Sequence, residues 1–422
     1  MRRKLPAILV AFLLFLPHTI LATDGYFSTG FGIKQVGHGG AGIAFPLDSL
    51  SGATNPAGMF FAGDRVDLGV TFFQPIRYAE IVGNQLPPGY PDINGSYSGN
   101  GKKNFFIPEL GYNHLFNPRL SFGVSIYGNG GMNTNYPNGV PLFGTSRAGV
   151  DLEQLFVAPT VAYKPNEHNA IGASFNLGYQ RFQAEGLQNF ANSNFSNSPG
   201  NVTNRGYNNS FGVGFRVGWL GKITDYLSVG ATYQSRTYMQ KLDNYQGLFA
   251  EQGGFDIPAS VGAGVAVRVH PRVTAVFDYE RIFYGTVRSI ANLGSNQALL
   301  GANNGPGFGW QDISVQKVGA DVKVTSKWVL RAGYNHSGVP FNGTQTFFNV
   351  LAPAVVQNHF TAGATWTFAG NKELNFAYQH AFGNTVYGVN SIPPFAGGGN
   401  ANLTMHQNSF GISFGWDRNK HK

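Results

Sequence analysis

The sequence predicts an all-β protein: a 14-stranded antiparallel transmembrane β-barrel with an N-terminal hatch plugging the lumen. Three observations predict it. Fourteen strand-like segments are joined by connections that run long, then short, in strict alternation. Within the segments apolar and polar residues alternate with period two, the mark of a sheet with one apolar face. Beyond the N-terminus no apolar run reaches the roughly 20 residues of a spanning helix. A soluble sandwich has no reason to sort its loops by length into two sets. A barrel in an asymmetric membrane does, with tight periplasmic turns and long extracellular loops.

The elements follow in order. Residues 1–22 read as a signal peptide: Arg2, Arg3 and Lys4 supply the positive start, an apolar stretch follows, and Ala22 is a small residue before the cleaved bond. Residues 23–63 are too long for a linker and too glycine-rich for a strand or stable helix, so they form the hatch. Within them, Gly37-His38-Gly39-Gly40-Ala41-Gly42 matches a dinucleotide-binding spacing. It lacks the preceding buried strand that such a site requires, and its glycines are read as close packing. Segments one to seven are 64–81, 104–116, 120–128, 151–164, 170–186, 207–223 and 227–241. Segments eight to fourteen are 255–270, 273–290, 313–325, 328–338, 358–369, 373–384 and 403–416. Tight turns such as Asn117-Pro118, Thr224-Asp225 and Pro271-Arg272 follow the even-numbered segments, and Gly, Asn, Ser and Pro fill the long connections. In the last segment Phe410, Ile412, Phe414 and Trp416 interleave with Ser409, Gly411, Ser413 and Gly415. The barrel thus spans 64–416, and 417–422 form a basic tail.

Composition agrees. The 422 residues include 58 glycines, 36 phenylalanines and no cysteine, and only 12% are charged. Glycine is about twice its usual share, as a crowded lumen and tight loops require. An exported barrel belongs in a bacterial outer membrane. The net charge of +8 then points to anionic lipid, lipopolysaccharide in the outer leaflet, and not to nucleic acid.

The order of signal peptide, glycine-rich hatch, Asn55-Pro56-Ala57-Gly58 and fourteen strands resembles the FadL/TodX type of outer-membrane hydrophobic-compound transporter. Val157-Ala158-Pro159-Thr160-Val161-Ala162-Tyr163, Pro258, Arg331-Ala332-Gly333-Tyr334 with Gly338-Val339-Pro340, Asn358-His359-Phe360-Thr361-Ala362-Gly363 and Leu374-Asn375-Phe376-Ala377-Tyr378 extend the match along the mature chain. The resemblance implies passive uptake of a hydrophobic small molecule (fatty acid, aromatic hydrocarbon or alkane) by a single barrel, without a cofactor. Extracellular loops collect the ligand in a groove, and a lumen pocket beside the hatch N-terminus holds it. It leaves sideways at an inward kink of the third strand near the Asn-Pro-Ala element.

Residue candidates follow from that scheme. The third strand runs into Gly128-Asn129-Gly130-Gly131, a cluster that weakens pairing and permits a bulge. Read alone, the cluster equally ends an ordinary strand. Asn55 and Pro56 are placed at the gap, with Ala57 and Gly58. The pocket takes Tyr26, Phe27, Phe31 and Ile33 from the hatch. The outer groove takes Leu187, Phe190 and Phe195 from the third long loop, with Leu248 and Phe249 from the fourth. Strand parity sends Arg216, Arg236, Arg268, Asp278, Glu280, Asp321, Lys323 and Arg331 inward. Mutual ion pairs account for most of these, which leaves Arg216 and Arg236 for a ligand carboxylate. The ten histidines lack metal-ligand spacing and no nucleophile motif stands on an elbow, so neither a metal site nor catalysis is expected. The alternative function is a general diffusion porin for small polar solutes.

Overall fold

The computed structural model describes residues 24–418 apart from 88, 91, 369 and 370. The expected signal peptide and the end of the basic tail lie outside the described residues. Fourteen long strands form the wall. They are β1 (Arg65–Val82), β2 (Phe105–Asn117), β3 (Leu120–Asn133), β4 (Gly149–Asn166), β5 (Asn169–Glu185), β6 (Asn208–Lys222) and β7 (Leu227–Gln234). The circuit continues with β8 (Ser260–His270), β9 (Val273–Ile282), β10 (Ile313–Lys323), β11 (Trp328–Ser337), β12 (Asn358–Phe368), β13 (Lys372–Val386) and β14 (Asn400–Asp417). Each pairs antiparallel with its neighbours in chain order, and β14 closes on β1 from Arg65↔Asp417 to Val82↔Asn400. Closure removes the free edges that a bilayer cannot solvate.

All fourteen expected segments are strands, with ends that move. β3 runs through the glycine cluster to Asn133 instead of stopping at Gly128. β7 stops at Gln234 at a bulge around Ser235 and Arg236, past which Tyr238–Met239 continue the antiparallel pairing with β6 one residue out of register. β9 stops at Ile282, and Arg288–Ala291 form a helical turn in the loop. Facing alternates as the period demands. On β14, Phe410, Ile412, Phe414 and Trp416 are exposed outward, while Ser409 and Ser413 are buried. Such an outer surface is an aggregation hazard in water and the required one in lipid.

Residues 24–63 touch the inner face of every strand and so occupy the ring's interior. Ser49 N–H donates to Asp67 on β1 (2.9 Å), and Ile33 N–H to Glu109 on β2 (3.1 Å). Gly42 and Ile43 N–H groups donate to Asp278 on β9 (2.6 and 2.9 Å). Gly39 N–H reaches Thr361 on β12 (2.8 Å), and Lys34 pairs with Glu373 on β13. These bonds satisfy polar backbone groups of an irregular segment held away from bulk water, which is why the lumen is lined with carboxylates and hydroxyls.

Wall glycines supply the remaining contacts. A Cβ at Gly172 on β5 would lie 2.4 Å from the backbone of Pro56 and Ala57, and one at Gly218 on β6 would lie 1.9 Å from Asn55 Oδ1. At Gly333 on β11 it would meet the His38 carbonyl carbon at 2.1 Å, and at Gly319 on β10 the His38 oxygen at 2.2 Å. The glycine excess is therefore partly a docking surface: the hatch backbone lies where the wall has no side chain. Overpacking of this kind costs about 1–3 kcal/mol when neighbours can shift, and backbone yields less readily than side chain. Gly333→Ala is expected to unseat the hatch while leaving the barrel folded, seen as raised single-channel conductance with unchanged heat-modifiable migration. Gly200→Ala, at a site with nothing within 4 Å, is expected to leave conductance at the native level.

Candidate functional site

One stretch of the wall breaks the pairing rule. β2 and β3 pair from Asn117↔Leu120 to Leu110↔Ile126 and no further. Above that point Phe105–Glu109 pair only with β1, and Tyr127–Asn133 only with β4. Gly128, Gly130 and Gly131 contribute no side chains to hold the register, and a bulge at Asn129 shifts β3 against β4 between Gly128↔Leu155 and Gly130↔Gln154. On the facing strand, Pro108 has no N–H to offer. The opening is a window with a closed top. Gly95–Ser98 pair back onto β1, Asn100 bridges to Asn135, and buried Arg77 binds the Asn133 carbonyl and the Lys102 carbonyl (2.5 Å).

The hatch N-terminus takes the place of the missing neighbour. Ser28 N–H donates to the Asn129 carbonyl at 2.9 Å, and Gly131 N–H donates to the Tyr26 carbonyl at 3.1 Å. Phe27 forms an antiparallel bridge with Gly130. A Cβ on Gly130 would lie 1.9 Å from the Tyr26 oxygen, so only glycine permits this approach. Across the break, a Cβ added at Gly128 would lie 2.7 Å from the Ile107 side chain.

The segment that seals the window also forms one wall of an aromatic chamber. The Tyr26 ring lies 5.3 Å from Tyr284, 5.9 Å from Trp310 and 6.4 Å from Phe255, and Phe27 lies 5.7 Å from Tyr284. Phe31 packs on Tyr127 at 4.6 Å, and Tyr127 on Phe156 at 5.6 Å. Tyr284 fixes the strap: its hydroxyl donates to the Asp24 carbonyl (2.5 Å) and accepts from Tyr26 N–H (3.1 Å). The Asp24 carboxylate lies 3.4 Å from Lys317 Nζ and accepts from Asn335 (3.3 Å). Burial pushes Asp24 up to about 6, against the pull of Lys317. Beneath the strap a cavity of about 20 Å³ is lined by Asp24, Phe31, Arg216, Asp278, Glu280 and Lys317. That is room for a water or two. The chamber is thus filled by its own side chains.

The other candidates fall into place around these two features. Ile33 packs against β14 at Gly411, away from the aromatic chamber. Asn55 lies against β6 and β7. Its amide donates to the carbonyls of Trp219 (2.9 Å) and Ile43 (2.7 Å), and its oxygen accepts from Ala57 N–H (3.1 Å). Asn55, Pro56 and Ala57 sit on the glycines of β5 and β6, and Gly58 opens a short helix packed on Pro46 and Ser51. The hatch residues at the break are Tyr26–Ser28 instead. Leu187, Phe190 and Phe249 are buried, and Phe195 and Leu248 are half-buried. They join Phe143, Phe347 and Phe348 in an apolar cap under the loops (Phe190–Phe348 5.7 Å, Phe143–Phe347 5.6 Å), not an exposed groove. Arg216 faces the lumen and donates to the Thr54 carbonyl (3.0 Å) and to Gln234. Arg236 lies in the loop beyond β7, committed to Asp256 (2.7 Å) and the Thr286 carbonyl (2.8 Å). Arg268 and Lys323 are exposed at the tight-turn end of the barrel, where parity no longer implies lumen. Among the described residues no group of three or more His, Asp or Glu is arranged to hold a metal ion.

Sequence reasoning missed Asp24, Lys317, Tyr284 and Trp310. Lys317 shares a strand face with Asp321 and sits opposite Asp278 in register, so a full parity count would have found it. Tyr284 and Trp310 lie in a long loop, where no periodicity marks them.

No curated protein sequence matches the chain. Among solved structures, the Pseudomonas putida toluene transporter TodX superimposes with a TM-score of 0.69 at 18% identity, covering 92% of this chain and 99% of that one. A Pseudomonas aeruginosa FadL homologue gives 0.70 at 18% identity, covering 93% and 100%. The Ralstonia pickettii toluene transporter TbuX gives 0.63 at 18% identity, covering 92% and 98%. At such identities the likeness establishes the shared fold alone. The sequence itself matches a family model, outer membrane protein transport protein (OMPP1/FadL/TodX), over residues 19–415. The chain therefore belongs to the OMPP1/FadL/TodX family of outer-membrane transport proteins.

Proposed function

We propose that this protein takes up hydrophobic small molecules from outside the cell and releases them sideways into the outer membrane through the break between β2 and β3. The observation that carries the reading is that one hatch segment, Tyr26–Ser28, both seals that break and walls the aromatic chamber. A ligand that enters between Tyr26, Tyr284 and Trp310 displaces the segment and in doing so frees the exit. The apolar cap holding Leu187, Phe190 and Phe249 is the entry surface, which must part to admit a ligand. Asn55–Gly58 anchor the far half of the hatch, so that only its N-terminal strap moves.

Physical chemistry favours the lateral route. Moving a sixteen-carbon chain from apolar surroundings into water costs on the order of 12 kcal/mol, at about 0.8 per methylene. Release into lipid avoids most of that. A diffusion porin needs a water-filled lumen, and the hatch contacts described above argue against one.

The electrostatics favour an uncharged ligand such as an aromatic hydrocarbon. Lys317 is held by Glu280 (3.1 Å) and Asp24, Arg331 by Asp321 (3.0 Å), and Lys34 by Glu373. Arg216, a candidate for a fatty-acid carboxylate, already serves Thr54 and Gln234, and Arg77 already serves Asn133 and Lys102. A carboxylate entering here would meet Asp278 and Glu280 as well.

Two results are expected. The chain has no cysteine, so Ile107→Cys with Gly128→Cys places a lone pair of thiols across the window. Oxidised, this variant is expected to lose at least tenfold of toluene uptake into cells and to regain it with reductant. Uptake at the native rate through the oxidised form would contradict lateral exit. The second concerns pH. The seated strap binds a proton at Asp24 more tightly than the released strap, whose carboxyl titrates near 3.9. Seating is therefore strongest below about pH 4 and weakens as pH rises to about 6. Uptake should climb across that interval and level off above it, and Asp24→Asn should flatten the rise.

A further inference from the structure

Of the net charge of +8, the expected signal peptide carries three (Arg2, Arg3 and Lys4), and the charge of the remaining chain is unevenly placed. The six tight turns and their flanks (117–120, 164–168, 222–226, 268–272, 323–327 and 369–372) carry eight Lys or Arg and two Asp or Glu. The seven long loops (83–104, 134–148, 186–207, 235–259, 283–312, 338–357 and 387–399) carry seven and five. The positive excess therefore lies at the end of the barrel opposite to the outer leaflet, contrary to the expectation that the basic charge serves lipopolysaccharide. Arg119, Lys222, Arg268, Arg272, Lys327 and Lys372 are exposed around this end. Neutralisation there is slight: Glu167 pairs with Lys164 (2.6 Å), and at the seam Asp64 pairs with Arg418 (2.5 Å).

A second ring lies just inside the first. Phe116, Tyr163, Tyr226, Trp328, Trp366 and Trp416 are exposed on the outer face next to these turns, with Trp328 and Trp366 stacked at 6.0 Å. Aromatic side chains prefer the boundary between acyl chains and headgroups. Strand residues advance about 3.3 Å each, so a cation one to four residues nearer the turn stands at the depth of lipid phosphates. Tight turns of such barrels face the periplasm.

We propose that this ring binds the anionic headgroups of glycerophospholipids in the periplasmic leaflet and so fixes the height of the barrel in the membrane. Lipid fits better than an acidic protein because the charge is distributed turn by turn around the circumference, each arc with its own aromatic. A docked protein needs one contiguous face and has no use for the aromatic ring.

The test is lipid selection in nanodiscs made from equal parts phosphatidylglycerol and phosphatidylcholine, read by native mass spectrometry of the retained lipids. The native chain is expected to retain phosphatidylglycerol several-fold over phosphatidylcholine. Arg119→Gln, Arg272→Gln, Lys327→Gln and Lys372→Gln combined should bring the ratio near one, with heat-modifiable migration confirming the folded barrel. Lys103→Gln, Arg147→Gln, Arg205→Gln and Lys241→Gln, equal in charge lost but placed in the long loops, should keep the native ratio. An equal fall in both variants, or no selection by the native chain, overturns the proposal. So does an acidic periplasmic protein that cross-links to the turns of a native chain showing no lipid selection.

Discussion

A backbone that crosses a bilayer must pair every N–H and C=O within the protein, and between the upper halves of β2 and β3 this barrel breaks that rule. Each unpaired group in an apolar medium costs several kcal/mol, so the upper halves of β2 and β3 cannot separate unless something replaces the lost ladder. The replacement is Tyr26–Ser28, whose backbone bonds to Asn129 and Gly131. The sealed state is stable because the strap supplies the pairing. On the proposed reading it opens because the strap is short, is tied down mainly through Asp24, Tyr26 and Tyr284, and belongs to a segment held elsewhere.

Glycine makes both halves of the arrangement possible. At Gly130 it lets the strap come within hydrogen-bonding distance of β3, and at Gly172, Gly218, Gly319 and Gly333 it lets the rest of the hatch press against the wall. Carboxylates on the wall then fix irregular hatch backbone at Asp67, Glu109 and Asp278. The same carboxylates make the lumen a poor host for an anionic ligand. On the proposed reading, hatch anchoring and a preference for uncharged ligands are two consequences of one set of side chains.

The barrel was legible in the sequence because its signal is local. Period-two alternation and loop length are set by a lipid face and an asymmetric membrane; the first recurs over fourteen strands and the second over the thirteen connections between them. That residues 24–63 are neither strand nor long helix was legible by exclusion, from a glycine-rich stretch that suits neither. What the sequence did not reveal depends on contacts between distant segments. Asn55 reads as a turn former, and only the fold puts its amide on Trp219. Tyr284 and Trp310 carry no periodic mark. The glycine cluster at 128–131 reads equally as a strand end, and which strap occupies the vacated edge is decided by residues far away in the chain, Tyr26–Ser28.

The most direct measurement is amide hydrogen exchange at Gly131 in lipid nanodiscs, comparing the full mature chain with one that begins after Ser28. The account predicts strong protection in the full chain. In the shortened chain it predicts exchange faster by orders of magnitude at Gly131, with the β2–β3 amides below Ile126 unchanged. Equal protection of Gly131 in both would mean that the strap is not the partner that completes the wall.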